Sequence, residues 1–190
     1  QWSSSAASDV YKRQALSGEI GFKEYLEKVD VYCNNGLDSG YEGDLKTEVE
    51  CVEAAKAVYA LCLNESLSKH GQDIGTEQVI IENLANILIY AYVGDSTLSR
   101  VIQNKDLYVQ KNQVVPELCA KVYTAEQGIR VMEYANKILN SIYDGEIPKE
   151  LESKFAKLSK RLSLSTDTIG LKKIIGEKVV EAGGYPVQSF

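Results

Sequence analysis

The feature that most constrains this chain is a long apolar segment from Thr76 to Gln103, which contains no proline. Its apolar residues recur in steps of four and three residues, the spacing that places side chains on one face of an α-helix. One stripe contains Ile80, Leu84, Ile87, Ala91, Asp95, Leu98 and Ile102, and a second stripe beside it contains Ile81, Ala85, Leu88 and Tyr92. Two adjacent apolar stripes require cover from more than one neighbouring helix, so the segment is predicted to be the inner helix of a helical bundle.

Two other structures are excluded for this segment by its length and polarity. The run from Ile87 to Val93 alone would suit a buried strand, but the helical spacing continues well beyond the usual length of a strand. Thr76, followed by Glu77, supplies a capping side chain and an acidic first turn. Polar residues interrupt the segment too often for a membrane span. These residues are Glu82, Asn83, Asn86, Asp95 and Arg100. The segment therefore predicts a soluble protein.

Similar apolar stripes, each with its own start and stop signals, continue along the chain. They predict one helix that ends at Asn34, one from Asp44 to His70, one from Pro116 to Asp144, one that begins at Pro148 and one capped by Asp167. The region from Asn104 to Asn112 is predicted to be a polar connector. The predicted fold is all-α, an antiparallel helical bundle of about five or six helices.

Length and composition limit the number of domains that this chain can form. A chain of 190 residues predicts one domain. Residues 1–14, QWSSSAASDVYKRQ, are rich in serine and lack periodicity, so we predict an unstructured leader left by cloning or sequence assembly. Residues 15–190 are predicted to form the single helical-bundle domain. The net charge of -6 argues against a nucleic-acid partner.

The cysteines predict no metal or redox site. Cys33, Cys51, Cys62 and Cys119 have no CxxC spacing and no Cys/His ligand spacing, so a reducing compartment is the simplest interpretation. Cys51 and Cys62 lie on one predicted helix, where free cysteines usually serve as small buried hydrophobes. From the residues alone, we assign no catalytic, cofactor-binding or metal-binding position.

Asp95 is the most informative polar residue, because it belongs to an apolar stripe of the predicted inner helix. A buried carboxylate without a partner costs several kcal/mol. One interpretation makes Asp95 a general base with a raised pKa. The other gives it a Ser, Tyr, Lys or Arg partner and a structural role in fixing helix register. No second carboxylate, histidine or cofactor motif lies nearby in the sequence, so a buried, structural Asp95 is predicted.

Lysines of the last two predicted helices, including Lys172, Lys173 and Lys178, offer a further possible contact surface. They could contact anionic lipid or an acidic partner. Glutamates are interspersed with them, and the net charge of this part of the chain is close to zero. A solvated face is therefore the favoured interpretation, and peripheral membrane contact is the alternative.

Three stretches of the sequence resemble a known family. They are VECVEAAKAVYALCLNESLSKHGQDIGTEQVIIENLANILIYAYVGDSTLSR, ANKILNSIYDGE and DTIGLKKIIGEKVVEAGGYPV. Together they resemble the extra C-terminal helical domain of very-long-chain-type acyl-CoA dehydrogenases, particularly the bacterial members. The segment from Tyr90 to Arg100 resembles one segment of that family, whereas Val93, Gly94 and Asp95 within it depart from the family's pattern.

The resemblance implies a parent flavoprotein of fatty-acid β-oxidation. Such an enzyme removes hydrogens from Cα and Cβ of a fatty acyl-CoA, with a glutamate as base and FAD as hydride acceptor. Those parts belong to the upstream dehydrogenase core, and this chain matches none of their motifs. The implied partners are that core and, in a homodimer, a second copy of the parent. The implied location is the bacterial cytoplasm, with or without peripheral membrane contact.

One alternative from a different functional class stays open at this stage, namely a free-standing helical protein-interaction module without enzymatic activity. A small α-helical enzyme built on Asp95 lacks a second catalytic partner in the sequence. A domain that docks on a parent core should leave an apolar face exposed when viewed alone, so surface exposure is the first property to compare with the structure.

Overall fold

Seven α-helices make up the computed structural model, which describes residues 19–36 and 38–187. The helices are α1 Glu19–Asn35, α2 Lys46–His70, α3 Gln78–Gln103, α4 Lys105–Gln110, α5 Val115–Tyr143, α6 Lys149–Leu162 and α7 Thr168–Ala182. A 3₁₀ turn, Gly71–Thr76, connects α2 to α3, and the described residues contain no strand. The predicted all-α fold is confirmed. The predicted leader, residues 1–14, lies outside the described residues.

Local signals account for most of the helix ends. Pro116 lies in the first turn of α5, and Asp144 ends that helix in a left-handed conformation with φ 52°. The Asp167 carboxylate accepts a hydrogen bond of 2.9 Å from the backbone N–H of Gly170, as the predicted cap requires. The predicted cap at Thr76 is wrong, because α3 begins after Glu77 and the Thr76 hydroxyl donates to the Asp73 carbonyl at 2.8 Å. The predicted cap at Asp44 is also wrong. Its carboxylate instead pairs with the Lys105 ammonium at 2.6 Å, because α2 begins two residues later.

Helices α2, α3 and α5 form the centre of the bundle, where each packs against the other two. Lys56 of α2 contacts Asp95 of α3, whereas His70 contacts Glu77, so α2 and α3 are antiparallel. Helix α5 runs parallel to α2. The Cys51 thiol of α2 lies 3.7 Å from the Thr124 carbonyl of α5, and the Tyr143 hydroxyl near the end of α5 donates to Glu65 near the end of α2.

Helices α1 and α6 cover α2 on another side. The apolar stripe predicted for α6 is buried, and its members are Leu151, Phe155, Leu158 and Leu162. Polar pairs at the edges link the elements: Lys154 contacts Asp30 of α1 at 2.8 Å, and Arg161 contacts Glu50 of α2 at 2.7 Å. Helix α7 differs from the others, because it packs mainly against α5 and contains no buried residue.

The burial predicted for the two cysteines of α2 is confirmed. Cys51 and Cys62 are 2% and 0% exposed, and desolvation raises the pKa of Cys51 to about 12 and also raises the pKa of Cys62. A thiol with a raised pKa stays protonated at neutral pH and is a weak nucleophile and metal ligand. Within the described part of the chain, no group of three His, Cys, Asp or Glu residues could hold a metal ion.

Candidate docking surface

Asp95 lies at the surface, so its predicted burial is wrong. Its side chain is 53% exposed, and its carboxylate accepts a 2.8 Å bond from the Lys56 ammonium. Gly94 takes the core-facing position instead. A Cβ on Gly94 would lie 2.8 Å from Val52, which shows how closely α2 approaches α3 there. The predicted stripe took two four-residue steps in succession, from Ile87 to Ala91 and from Ala91 to Asp95. Each such step rotates by about 40° around a helix of 3.6 residues per turn, which carries position 95 to the edge of the buried face, whereas a three-residue step from Ala91 leads to buried Gly94.

Because the Lys56–Asp95 pair is exposed, we expect Asp95→Leu to have a small effect on the free energy of unfolding. Exposed ion pairs contribute about 0–1 kcal/mol, and Lys56 keeps a second partner, Glu53, at 2.8 Å. We therefore expect the free energy of unfolding to change by less than about 1 kcal/mol in urea titrations. Lys56→Met is the matched control, because it removes the ion pairs with both Glu53 and Asp95. A loss above about 2 kcal/mol for Asp95→Leu would show that the carboxylate has a larger structural role.

The second stripe of α3, predicted to be covered by neighbouring helices, is largely open to solvent. Ile81 is 37% exposed and Tyr92 is 72% exposed. Ala85 is exposed as well, and Leu88 is half-buried. Ile89, which belonged to neither predicted stripe, lies beside them and is 53% exposed. We call these residues, Ile81, Ala85, Leu88, Ile89 and Tyr92, the α3 outer stripe.

The α3 outer stripe is a continuous apolar strip that adjoins Val93, which is 37% exposed, and is otherwise bounded by polar residues. From Ile81 to Tyr92 it runs about 16 Å along the helix at 1.5 Å per residue. Exposed Glu82 flanks it, and exposed Ser96 and Ser99 follow it. Single exposed apolar residues are ordinary on protein surfaces, but a contiguous patch with a polar rim marks an interaction site. The stripe is therefore the best candidate for a functional surface in this chain.

A cleft between α1 and α6 is a second candidate for a functional site. It has a volume of about 310 Å³ and is lined by Tyr32, Cys33, Gly36, Lys157, Leu158, Lys160 and Arg161. Its cations lie in the last two turns of α6, where positive charge compensates the carbonyl end of the helix. Arg161 is already paired with Glu50. The helix end and the pairing with Glu50 therefore account for the positive charge at the cleft without a bound ligand.

Helix α7 exposes apolar side chains as well. Ile169 is 70% exposed and Val180 is 81% exposed. Two of the predicted surface lysines are paired: Lys172 with Glu126 of α5, and Lys178 with Glu181. No helix in residues 19–36 and 38–187 combines the length and hydropathy needed to cross a bilayer.

Comparisons with known proteins point to one family. Residues 54–155 match the family model described as acyl-CoA dehydrogenase, C-terminal domain. The fold is similar to that of an acyl-CoA dehydrogenase complexed with FAD from Bacillus anthracis, with a TM-score of 0.78 and 20% sequence identity. The similarity covers 94% of this chain but 30% of that protein, so this chain spans less than a third of its length. No curated protein sequence matches the chain.

Proposed function

Because the chain belongs to the family of acyl-CoA dehydrogenase C-terminal domains, we propose that it is the accessory domain of an FAD-dependent acyl-CoA dehydrogenase and docks on the dehydrogenase core through the α3 outer stripe. The observation that carries the docking part is the exposure of Ile89 and Tyr92 on the helix that the bundle otherwise surrounds. The core corresponds to the part of the longer relative that this chain does not span.

The exposed side chains of the stripe provide a driving force for docking. Apolar surface removed from water contributes about 25 cal/mol per Å², so further burial of several large side chains is worth several kcal/mol before the costs of association. A domain tethered to its core loses less translational freedom than a free partner, because the linker raises the effective concentration. A stripe of this size therefore suits an intramolecular contact better than an encounter between free proteins.

The described residues do not fit FAD. The cleft between α1 and α6 has about 310 Å³, the lower limit for a drug-sized ligand, and a flavin dinucleotide is considerably larger. The loop before α2 lacks the strand and the glycine spacing of a phosphate-binding motif. We therefore assign flavin binding, the base and substrate dehydrogenation to the core, and assembly to this chain.

Three further features of the parent belong to the same proposal. They are a very-long-chain type of enzyme, a role in β-oxidation of fatty acids in the bacterial cytoplasm, and a homodimer. Support for the type comes from the three stretches quoted above, and the exposed apolar residues of α7 offer surface for a subunit contact. Peripheral membrane contact is less well supported, because Lys172 and Lys178 are already paired with glutamates.

Activity is tested on the complete reading frame that contains this chain. We expect the purified product to carry bound flavin and to reduce an artificial electron acceptor with a long-chain acyl-CoA as substrate. The isolated chain of 190 residues should do neither. A reading frame that encodes no flavin-binding core would instead support the free-standing interaction module.

Docking is tested by comparing side-chain solvent access in the complete protein and in the isolated chain. With hydroxyl-radical labelling, we expect Ile89 and Tyr92 to react at least fivefold more slowly in the complete protein. Val79 is the matched control: it lies on the same helix, is 71% exposed and is outside the stripe. Its labelling should not change. Equal labelling of Ile89 in both proteins would contradict docking through the stripe, even if the complete protein is an active dehydrogenase.

A further inference from the structure

We infer that the segment covering the α3 outer stripe is an amphipathic helix of the dehydrogenase core, which inserts a large apolar side chain between Ala85, Leu88, Ile89 and Tyr92. This inference rests on the proposed function, because it takes the core as the partner. It adds the secondary structure, the length and the side-chain chemistry of the segment that binds.

Four residues of the stripe have the spacing that receives a side chain from another helix. Ala85, Leu88, Ile89 and Tyr92 stand at positions i, i+3, i+4 and i+7, which form the hole of knobs-into-holes packing. All four are open or half-open to solvent. Because alanine is the smallest of them, the hole is deepest at position 85. A knob of the size of leucine, isoleucine or phenylalanine matches this shape.

Backbone hydrogen bonding favours a helix over a strand as the partner. The four residues of the hole lie in the interior of Gln78–Gln103, so their N–H and C=O groups are already paired within α3, and the N–H of Ile81 donates to the Glu77 carbonyl at 3.0 Å. A strand laid against this surface would find no backbone partners on α3, and its own groups on the contact side would lose water without compensation. A helix satisfies its backbone internally and presents only side chains.

The polar rim limits the length and charge of the partner. The apolar contact extends from Ile81 to Tyr92, about three turns, and ends at Ser96. Asp95 is already engaged by Lys56, whereas Glu82 is exposed, and Lys137, the cation with which it interacts, is paired with Glu133 at 2.8 Å. The partner helix should therefore bring three turns of apolar residues and a Lys, an Arg or another hydrogen-bond donor beside Glu82.

Photo-crosslinking from the stripe in the complete protein tests this geometry. A photoreactive phenylalanine analogue is placed in turn at positions 81, 85, 88 and 92, and the crosslinked residues are mapped by mass spectrometry. We expect them to fall within one continuous core segment, spaced by three and four residues. Crosslinks spaced by two residues, or spread over unrelated segments, would refute a helical partner while leaving docking intact. Absence of any crosslink to the core would overturn the proposed function as well.

Filling the hole provides an independent test. We expect Ala85→Leu to abolish at least half of the labelling protection of Tyr92 in the complete protein, because the added side chain occupies the space of the incoming knob. Ala85→Ser, which adds one atom, should keep the protection. Position 85 is exposed, so both variants should match the melting temperature of the unmodified isolated chain within about 2 °C. Full protection in Ala85→Leu would exclude insertion at this hole.

Discussion

Replacing Ile87 with alanine should lower the free energy of unfolding by about 3 kcal/mol, whereas the same change at Ile89 should lower it by less than about 1 kcal/mol. Ile87 is 0% exposed and belongs to the main core, and Ile89 is 53% exposed on the other side of the same helix. Truncating a buried isoleucine loses transfer free energy and leaves a cavity. At an exposed site most of the lost surface was already in water.

The two isoleucine variants form a matched pair for urea unfolding of the isolated chain. Residue type, helix and substitution are the same, so intrinsic helix propensity cancels in the comparison. A difference of about 2 kcal/mol or more is expected between them. Equal losses would mean that Ile89 is buried in the isolated chain, for example by self-association. Repeating the titration at a tenfold lower protein concentration separates that case, because an oligomer would then lose stability.

The second large effect is expected for Gly128→Ala, where α5 meets the end of α6. A Cβ at position 128 would lie 2.2 Å from the carbonyl oxygen of Leu162 and 3.2 Å from the Cys51 sulfur. Leu162 is fully buried, so its backbone cannot move without disturbing the packing of α6. We expect a loss of about 2 kcal/mol, because a clash with backbone belongs at the upper end of the cost of about 1–3 kcal/mol that is typical of overpacking, and the gain in helix propensity of up to about 1 kcal/mol offsets part of it.

Gly176→Ala is the control for this substitution. Gly176 lies within α7, and a Cβ there would have no neighbour within 4 Å. Its replacement should therefore leave stability unchanged or raise it by up to about 1 kcal/mol, the difference in helix propensity between glycine and alanine. Both variants are compared by urea unfolding followed by circular dichroism. If Gly128→Ala were as stable as Gly176→Ala, α6 would be able to shift without a loss of stability. That result would contradict the close packing of position 128 against Leu162.

The sequence predicted helix positions well, because their ends are encoded locally. Pro116 in a first turn, Asp144 in a left-handed conformation and Asp167 as a cap each act within a few residues of their own position. Short helix α4 escaped prediction, since six residues are too few to show a period. Its Tyr108 is nevertheless buried, which identifies the connector as part of the packing.

The α3 outer stripe could be predicted only in part, because the cover of a helix face is not encoded locally. Spacing identified Ile81, Ala85, Leu88 and Tyr92 as a face that needs cover, but a single sequence does not say whether the cover comes from the same chain. The spacing of Ile89, four residues after Ala85, was the signal that could have added it to the stripe. Asp95 was misplaced because the predicted stripe took a four-residue step from Ala91, whereas the buried face continues with a three-residue step to Gly94, where α2 approaches closely.

Helix α7 is expected to unfold locally while the rest of the bundle stays folded. Helix α7 contributes no buried residue and rests mainly on α5. Its backbone amides are therefore expected to exchange with deuterium through local opening, at free energies well below that of global unfolding, whereas the central amides of α2 and α3 should exchange only when the whole bundle unfolds. The bundle would then consist of a slowly exchanging centre and a separately opening C-terminal helix. Any contact that the parent makes through α7 would slow exchange in that helix first.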